Sequence, residues 1–202
     1  MVTRQAPGRN VYNGAMQAPR YLADHFLIAM PSLADPRFAR TVTLLCQHDQ
    51  DGAMGLVVNQ PSEYTLGEVL RQMEIDTDSP ELGAQAVLAG GPVHPDRGFV
   101  LHDDPREFGS TLRFGQGLAV STSRDILEEL ARGEGPRRFL MTLGFAGWTA
   151  GQLEHEIAEN SWLTVPADKA IFFNTPIAER WQAAARSLGV DIASLGGLVG
   201  HA

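Results

Sequence analysis

Any chemistry in this chain has few reactive side chains to draw on, and the first candidates are Cys46 and His48. Both lie in Thr41 to His48, a run of β-branched and apolar residues that predicts a strand, and period-two alternation places them on one face. A thiolate beside an imidazole could serve as a nucleophile or as an oxidation sensor. Side chains at i and i+2 of a strand are nevertheless about 7 Å apart at their bases, so a direct hydrogen bond requires a bend. The plainer reading is a cysteine buried in a core strand with a histidine at a hairpin mouth, since free cysteine is among the most buried residue types.

A second constellation lies at Gly144 to Glu154. Phe139 to Leu143 predicts a strand buried on both faces, and the helix after it is expected to begin at Thr149. Thr149 and Gln152 have capping-box spacing, and Trp148 and Leu153 have the spacing of a hydrophobic staple. A helix N-terminus reached through glycines can hold an anion or a small ligand. That makes Gly147, Trp148, Thr149, Gly151 and Gln152 ligand-binding candidates, together with Gly90 and Gly91 of the Gly90-Gly91-Pro92 break. The alternative is that the glycines let strand and helix pack closely. The spacing G-x-x-G-x-x-x-G matches neither the dinucleotide fingerprint nor the phosphate loop, and no lysine follows, so no cofactor is expected.

His94, Asp96 and Arg97, with His102 and Asp103, could form a polar or metal-binding cluster, but their spacing fits no familiar metal motif, and a solvated loop is the expectation. His155 sits between Glu154 and Glu156 without an H-E-x-x-H, and a single cysteine excludes a thiolate zinc cluster, so no metal is expected. Ser121, Thr122 and Ser123 read as helix caps, because no G-x-S-x-G elbow surrounds them.

The positioning elements follow from pattern. Phe26 to Met30 predicts a strand stopped by Pro31, Asp35-Pro36-Arg37-Phe38 a turn, and Ala53 to Asn59 a strand hairpinned to the Cys46 strand. Thr65 to Met73 predicts a short helix with Leu66, Val69, Leu70 and Met73 on one side. Strands are expected at Ala86 to Ala89, Gly98 to His102, Thr111 to Phe114 and Leu118 to Ser121, then a helix burying Ile126, Leu127 and Leu130. Two apolar runs, Trp162 to Val165 and Ala170 to Phe173, precede a helix starting at Thr175-Pro176, with Ile177, Trp181, Ala184, Ala185 and Leu188 facing the core. Hairpins in the first half and strand–helix alternation in the second predict α/β with a mixed sheet.

With 202 residues, the chain suits one domain over 21–202 after a flexible tail at 1–20. The formal charge is −8, and the tail carries Arg4, Arg9 and Arg20 with no acid, which leaves −11 on the remainder. A body this acidic repels phosphate backbones, and Arg137-Arg138 is too small a basic spot to reverse that. No nucleic-acid partner is therefore expected. The absence of a long apolar run or an apolar leader at Met1 to Arg20 leads to the expectation of a cytoplasmic protein with no membrane partner.

Several spaced segments together resemble the YqgE/AlgH family: Phe26 to Pro31, Cys46 to Leu56, Asn59-Gln60-Pro61, Gly90 to Val93, Phe99 to His102, Gly144 to Glu154, and the ending Gly200-His201-Ala202. The resemblance runs from about Tyr21 to Ala202. It implies an α/β fold with helices on both sides of the sheet, in three layers, plus a smaller α+β portion. It implies no established reaction, and it carries the label of a transcriptional regulator. No helix-turn-helix pattern is visible, so regulation is expected to be indirect, through an unknown protein partner or small ligand. The leading expectation is a non-catalytic binding or regulatory protein. The alternative is an enzyme or redox sensor built on Cys46 and His48.

Overall fold

The computed structural model describes residues 21–30, 33, 35 and 37–189. The expectations for the tail at 1–20, for Pro31 and Pro36, and for Gly200-His201-Ala202 lie outside those residues.

Ten strands form the sheet among the described residues: β1 (His25–Ala29), β2 (Val42–Asp49), β3 (Gly52–Val57), β4 (Pro61–Thr65), β5 (Ala86–Ala89), β6 (Val93–His102), β7 (Thr111–Phe114), β8 (Leu118–Ser121), β9 (Phe139–Thr149) and β10 (Trp162–Pro166). Their order is β10-β1-β2-β3-β9-β6-β8-β7, with β5 joining β9 and β4 joining β5. Every pairing is antiparallel except β5 with β9, where Leu88 lies opposite Thr142 and Ala89 opposite Leu143. The chain is thus α/β with a mixed sheet, as its pattern predicts. The sheet is not flat. Phe26 and Val42 of β1 and β2 share one apolar cluster with Phe114 and Leu118 of β7 and β8, although three strands separate these pairs in the sheet order. Only a sheet curled into a half-barrel brings them together.

Alternation along the strands assigns side chains to the two faces. Phe26 and Ile28 enter the concave cluster, while Leu27 and Ala29 join a second cluster on the outer face. Helices α5 (Lys169–Phe173) and α6 (Arg180–Ser187) bring Ile171, Phe172, Ala184 and Ala185 to the concave cluster. On the outer face, α1 (Leu66–Gln72) and α3 (Arg124–Ala131) bury Leu70, Ile126 and Leu130 over Val100 and Met141. Helix α4 (Gln152–Ala158) places Leu153 against Ala146, Trp148 and Trp162. A one-turn helix α2 (Pro80–Gly83) packs beside α1, where Gly83 approaches Gly67.

Several local expectations are corrected. Strand β9 continues through the glycines to Thr149, so the turn expected after Leu143 is strand. Its later half is buried on one face only, with Ala146 and Trp148 covered and Gly147 and Thr149 exposed. The helix after it starts at Gln152, not at Thr149, and its N-cap is Gly151 with φ +76°. Half of the expected capping box exists: Gln152 Oε1 accepts from the Thr149 N–H at 3.0 Å, while the Thr149 hydroxyl also donates to it instead of capping the helix. The helix expected from Thr175-Pro176 opens as a 3-10 turn, Ile177–Glu179, and becomes α-helical at Arg180. Strand β4 was not expected, because Pro61 to Thr65 is polar and largely exposed.

Gly144 is where β9 changes face. Phe139, Met141 and Leu143 pack toward α1 and α3, yet Phe145 turns to the concave cluster, which strict alternation forbids. The shift is made by φ +72° at Gly144, a backbone state that disfavours other residues. A Cβ at Gly144 would lie 2.3 Å from the Gly91 carbonyl oxygen, and one at Gly91 (φ +149°) would lie 2.2 Å from the Phe145 carbonyl carbon.

Candidate functional site

A bulge separates the cysteine–histidine pair. The β2–β3 register runs Leu45↔Gly55 and then Gln47↔Met54, so Cys46 is the extra residue. Beyond the bulge, His48 pairs with Ala53 of the outer-face cluster, whereas Cys46 lies in the concave cluster. The two side chains face opposite sides of the sheet, which corrects the expectation of a shared face. Cys46 is 1% exposed, and burial pushes its thiol far above the ordinary cysteine range. His48 serves packing: its Nδ1 accepts the Leu22 N–H at 3.0 Å, so Nε2 carries the hydrogen and donates to Glu154 Oε1 at 3.0 Å.

Among the described residues, the second group of candidates lines neither the cleft between α1 and α3 nor the recess beside α2. Gly90 donates its N–H to Leu143 O and accepts from Val57 N–H, and with Gly91 and Gly144 it forms a backbone crossing without room for side chains. Gly147 lies exposed on β9, and Gly151 begins α4 with nothing within 4 Å of a would-be Cβ. Trp148 is buried. Its indole and that of Trp162 both donate to Glu156 Oε2, at 2.9 and 2.8 Å. Gln152 donates to the other oxygen of Glu156 at 2.9 Å. The motif Gly144 to Glu154 is thus wired as a scaffold, and Glu156, marked in the sequence only as a neighbour of His155, is its hub.

The cleft lies elsewhere, on the outer face between α1 and α3. Its volume is about 750 Å³, within the range of small-molecule sites. Its floor is apolar: Val69 from α1, Met73 at the C-cap of that helix, Val100 from β6, Leu127 from α3, and Met141 and Leu143 from β9. Gly98 sits over Met141, where a Cβ would lie 2.6 Å from the methionine methyl. The lip comes from β6, whose register jumps between Val93↔Phe145 and Gly98↔Leu143. The intervening residues bulge outward and put Pro95, Asp96 and Arg97 on the rim. His94, Asp96 and Arg97, expected in a solvated loop, therefore belong to an irregular, exposed strand segment. Arg97 Nη2 donates to Thr122 Oγ1 at 3.3 Å, and the guanidinium lies 5.6 Å from the Phe99 ring centroid. Across the cleft stand Tyr64, which is 50% exposed, and Gln72. Neither was singled out from sequence. The available signal was an aromatic residue in an otherwise polar strand.

Ser121, Thr122 and Ser123 form the remaining wall. Ser123 occupies the N-cap position of α3, but its hydroxyl donates to Asp125 Oδ1 and makes no cap bond. Ser121 lies 2.9 Å from His102 Nε2, which invites comparison with a nucleophile and its base. The ring is turned the wrong way for that. His102 Nδ1 accepts the Asp104 N–H at 3.3 Å, and burial lowers the histidine pKa, so the neutral ring carries its hydrogen on Nε2. Nε2 then donates to Ser121 and cannot take its proton, while Thr111 Oγ1 completes the serine's bonding at 2.8 Å.

Fold and cleft together define an α/β half-barrel protein with an amphipathic recess on its outer face. The chain belongs to the AlgH-like family (DUF179), which matches residues 26–193. It is 61% identical over 183 residues to a UPF0301 protein of Stenotrophomonas maltophilia strain K279a, covering 91% of this chain and 97% of the relative. It is 60% identical over 184 residues to a UPF0301 protein of Xanthomonas oryzae pv. oryzae strain PXO99A, covering 91% and 98%. Among solved structures it is similar to the solution structure of the AlgH protein from Pseudomonas aeruginosa, at 51% identity and TM-score 0.76, over 92% of this chain and 98% of that one. The crystal structure of protein DIP2367 from Corynebacterium diphtheriae shares the fold at TM-score 0.71 and 21% identity, over 90% of this chain and 94% of that one.

Proposed function

We propose that this chain is a non-catalytic binding protein whose site is the outer-face cleft, and that it regulates indirectly, by presenting a ligand-dependent surface to another protein. The carrying observation is the cleft itself: an apolar floor with two adaptable methionines, under a rim of polar side chains. The reading takes the helices on the two faces, with the sheet between them, as three layers, and the α1–α3 side as the smaller α+β portion. It places the protein in the cytoplasm, in keeping with the finding that no helix among the described residues is long and apolar enough to cross a membrane. Direct duplex recognition does not suit a chain with formal charge −8. The enzyme or redox reading loses its geometry once Cys46 and His48 face opposite ways.

Methionine-methyl NMR tests the site. Titration with a panel of small apolar alcohols, amines and carboxylates is expected to shift the Met73 and Met141 methyls while leaving Met54, in the concave region, in place. A fluorophosphonate probe is expected to leave Ser121 unmodified. Stoichiometric labelling of Ser121, or shifts confined to Met54, would overturn the reading.

A further inference from the structure

The rim of the cleft presents two opposite charges side by side. Asp96 and Arg97 are consecutive, both line the cleft, and no ion pair joins them among the described residues. The Asp96 carboxylate has no protein partner among those residues. Arg97 is held from one side by Thr122 and the Phe99 ring, which leaves most of its five N–H donors unspent. In a regular strand, neighbouring side chains point to opposite faces. Here the β6 bulge between Val93 and Gly98 lets both reach the same rim.

A ligand bearing only an anion would bring it beside Asp96, and one bearing only a cation would bring that beside Arg97. A ligand carrying both, on one carbon, satisfies the two at once, because consecutive Cα atoms stand only about 3.8 Å apart. The floor below adds a demand for an apolar body, and Met73, Met141 and Leu127 accept one. Resting on the reading of the cleft as the binding site, we infer that it takes an α-amino acid with a large apolar side chain, its ammonium toward Asp96, its carboxylate toward Arg97, and its side chain on the methionine floor.

The test uses the full chain and four probes that share a phenyl group: L-phenylalanine, 3-phenylpropionate (no ammonium), phenethylamine (no carboxylate) and 2-phenylethanol (neither). Dissociation constants are read from the Met73 and Met141 methyls. Because both charges are exposed, each matched pair is worth up to about fivefold in affinity, so phenylalanine is expected to bind a few-fold tighter than either singly charged probe. In Asp96→Asn, the advantage over 3-phenylpropionate vanishes while that over phenethylamine persists. Arg97→Gln gives the reverse. Both sites are exposed, so neither change endangers the fold. The class inference is overturned if the singly charged probes bind as tightly as phenylalanine, or if the two variants fail to split the preferences. If 2-phenylethanol still moves both methyls in that case, the cleft remains the site and only the amino-acid assignment falls. If no probe moves them, both fall.

Discussion

At the scale of single residues, the informative side chains are those whose environment dictates their protonation. Cys46 is buried with its thiol held protonated, so thiol-directed reagents reach it only when the chain opens. Native labelling at neutral pH is expected to be on the order of a hundredfold slower than in denaturant, and His48→Ala is expected to alter it only through stability. Fast native labelling that depends on His48 would restore the nucleophile reading. Acid exposes a second effect. The Arg106 guanidinium beside Asp104 holds that carboxyl below its usual range, and the Thr65 backbone N–H does the same for Glu68. A depressed folded pKa means that the unfolded chain binds protons first, so this stabilisation is present above the ordinary carboxylate range and lost as pH falls through the folded values. His102 works in the same sense at higher pH: buried and neutral when folded, it favours the unfolded state once free histidine protonates, below about pH 6.5. The melting temperature should sag from about pH 6.5 and drop steeply below about pH 4, and Asp104→Asn should flatten the acid limb. A melting temperature that rises between pH 7 and pH 5 would contradict the His102 assignment, and an acid limb left unchanged by Asp104→Asn would contradict the carboxylate one.

At the scale of elements, the glycines distinguish a scaffold from a binding loop. Gly144→Ala forces a left-handed backbone on a residue with a Cβ and drives that Cβ into the Gly91 carbonyl, so it is expected to cost about 3 kcal/mol or more. Gly147→Ala meets the edge of the Phe145 ring at 3.2 Å and Val93 Cγ2 at an ordinary 3.7 Å, and should cost about 1 kcal/mol or less because the ring can give. Thr149→Ala removes an exposed hydroxyl contact to Gln152 and no helix cap, so about 0.5 kcal/mol is expected. Urea denaturation of the three variants checks the order, and equal losses at Gly144 and Gly147 would refute the face-switch argument. This is also where the limits of sequence reading are physical. Helix α1 was legible because Leu66, Val69 and Leu70 recur at helical spacing, and the structure adds a capping box of Thr65 with Glu68. The run of β9 past Leu143 was not, because glycines that signal a turn locally can instead relieve a backbone crossing that is visible only in three dimensions. The bulge at Cys46 leaves no mark in composition, yet it inverts the relation of Cys46 to His48. The cleft was the least legible feature. Its floor draws on α1, α3, β6 and β9, and of its lining only Asp96, Arg97, Ser121, Thr122 and Ser123 carry a chemical reading from sequence, in two unconnected groups.

At the scale of the whole molecule, β9 couples the three apolar clusters. Met141 and Leu143 anchor the α1–α3 side, Ala146 and Trp148 anchor the outer face near α4, and Leu140 and Phe145 reach the concave interior. The strand pairs with β6 along Phe139 to Phe145, with β5 at Thr142 and Leu143, and with β3 from Ala146 to Thr149. Unfolding one side alone would strip partners from part of this strand and leave buried backbone groups unpaired, at a cost of about 1–3 kcal/mol for each such group. One cooperative transition is therefore expected across the described body. The probes are well placed to check it. Trp148 and Trp162 lie in the outer-face cluster and Trp181 packs against the concave one, so tryptophan fluorescence is blind to the α1–α3 side. Met73 and Met141 belong to that side. Urea midpoints from fluorescence, far-ultraviolet circular dichroism and the Met73 and Met141 methyl signals should coincide. Loss of the methionine signals at lower urea than the fluorescence would show that the cleft-bearing side opens on its own, and that β9 couples its neighbours less tightly than its pairing implies.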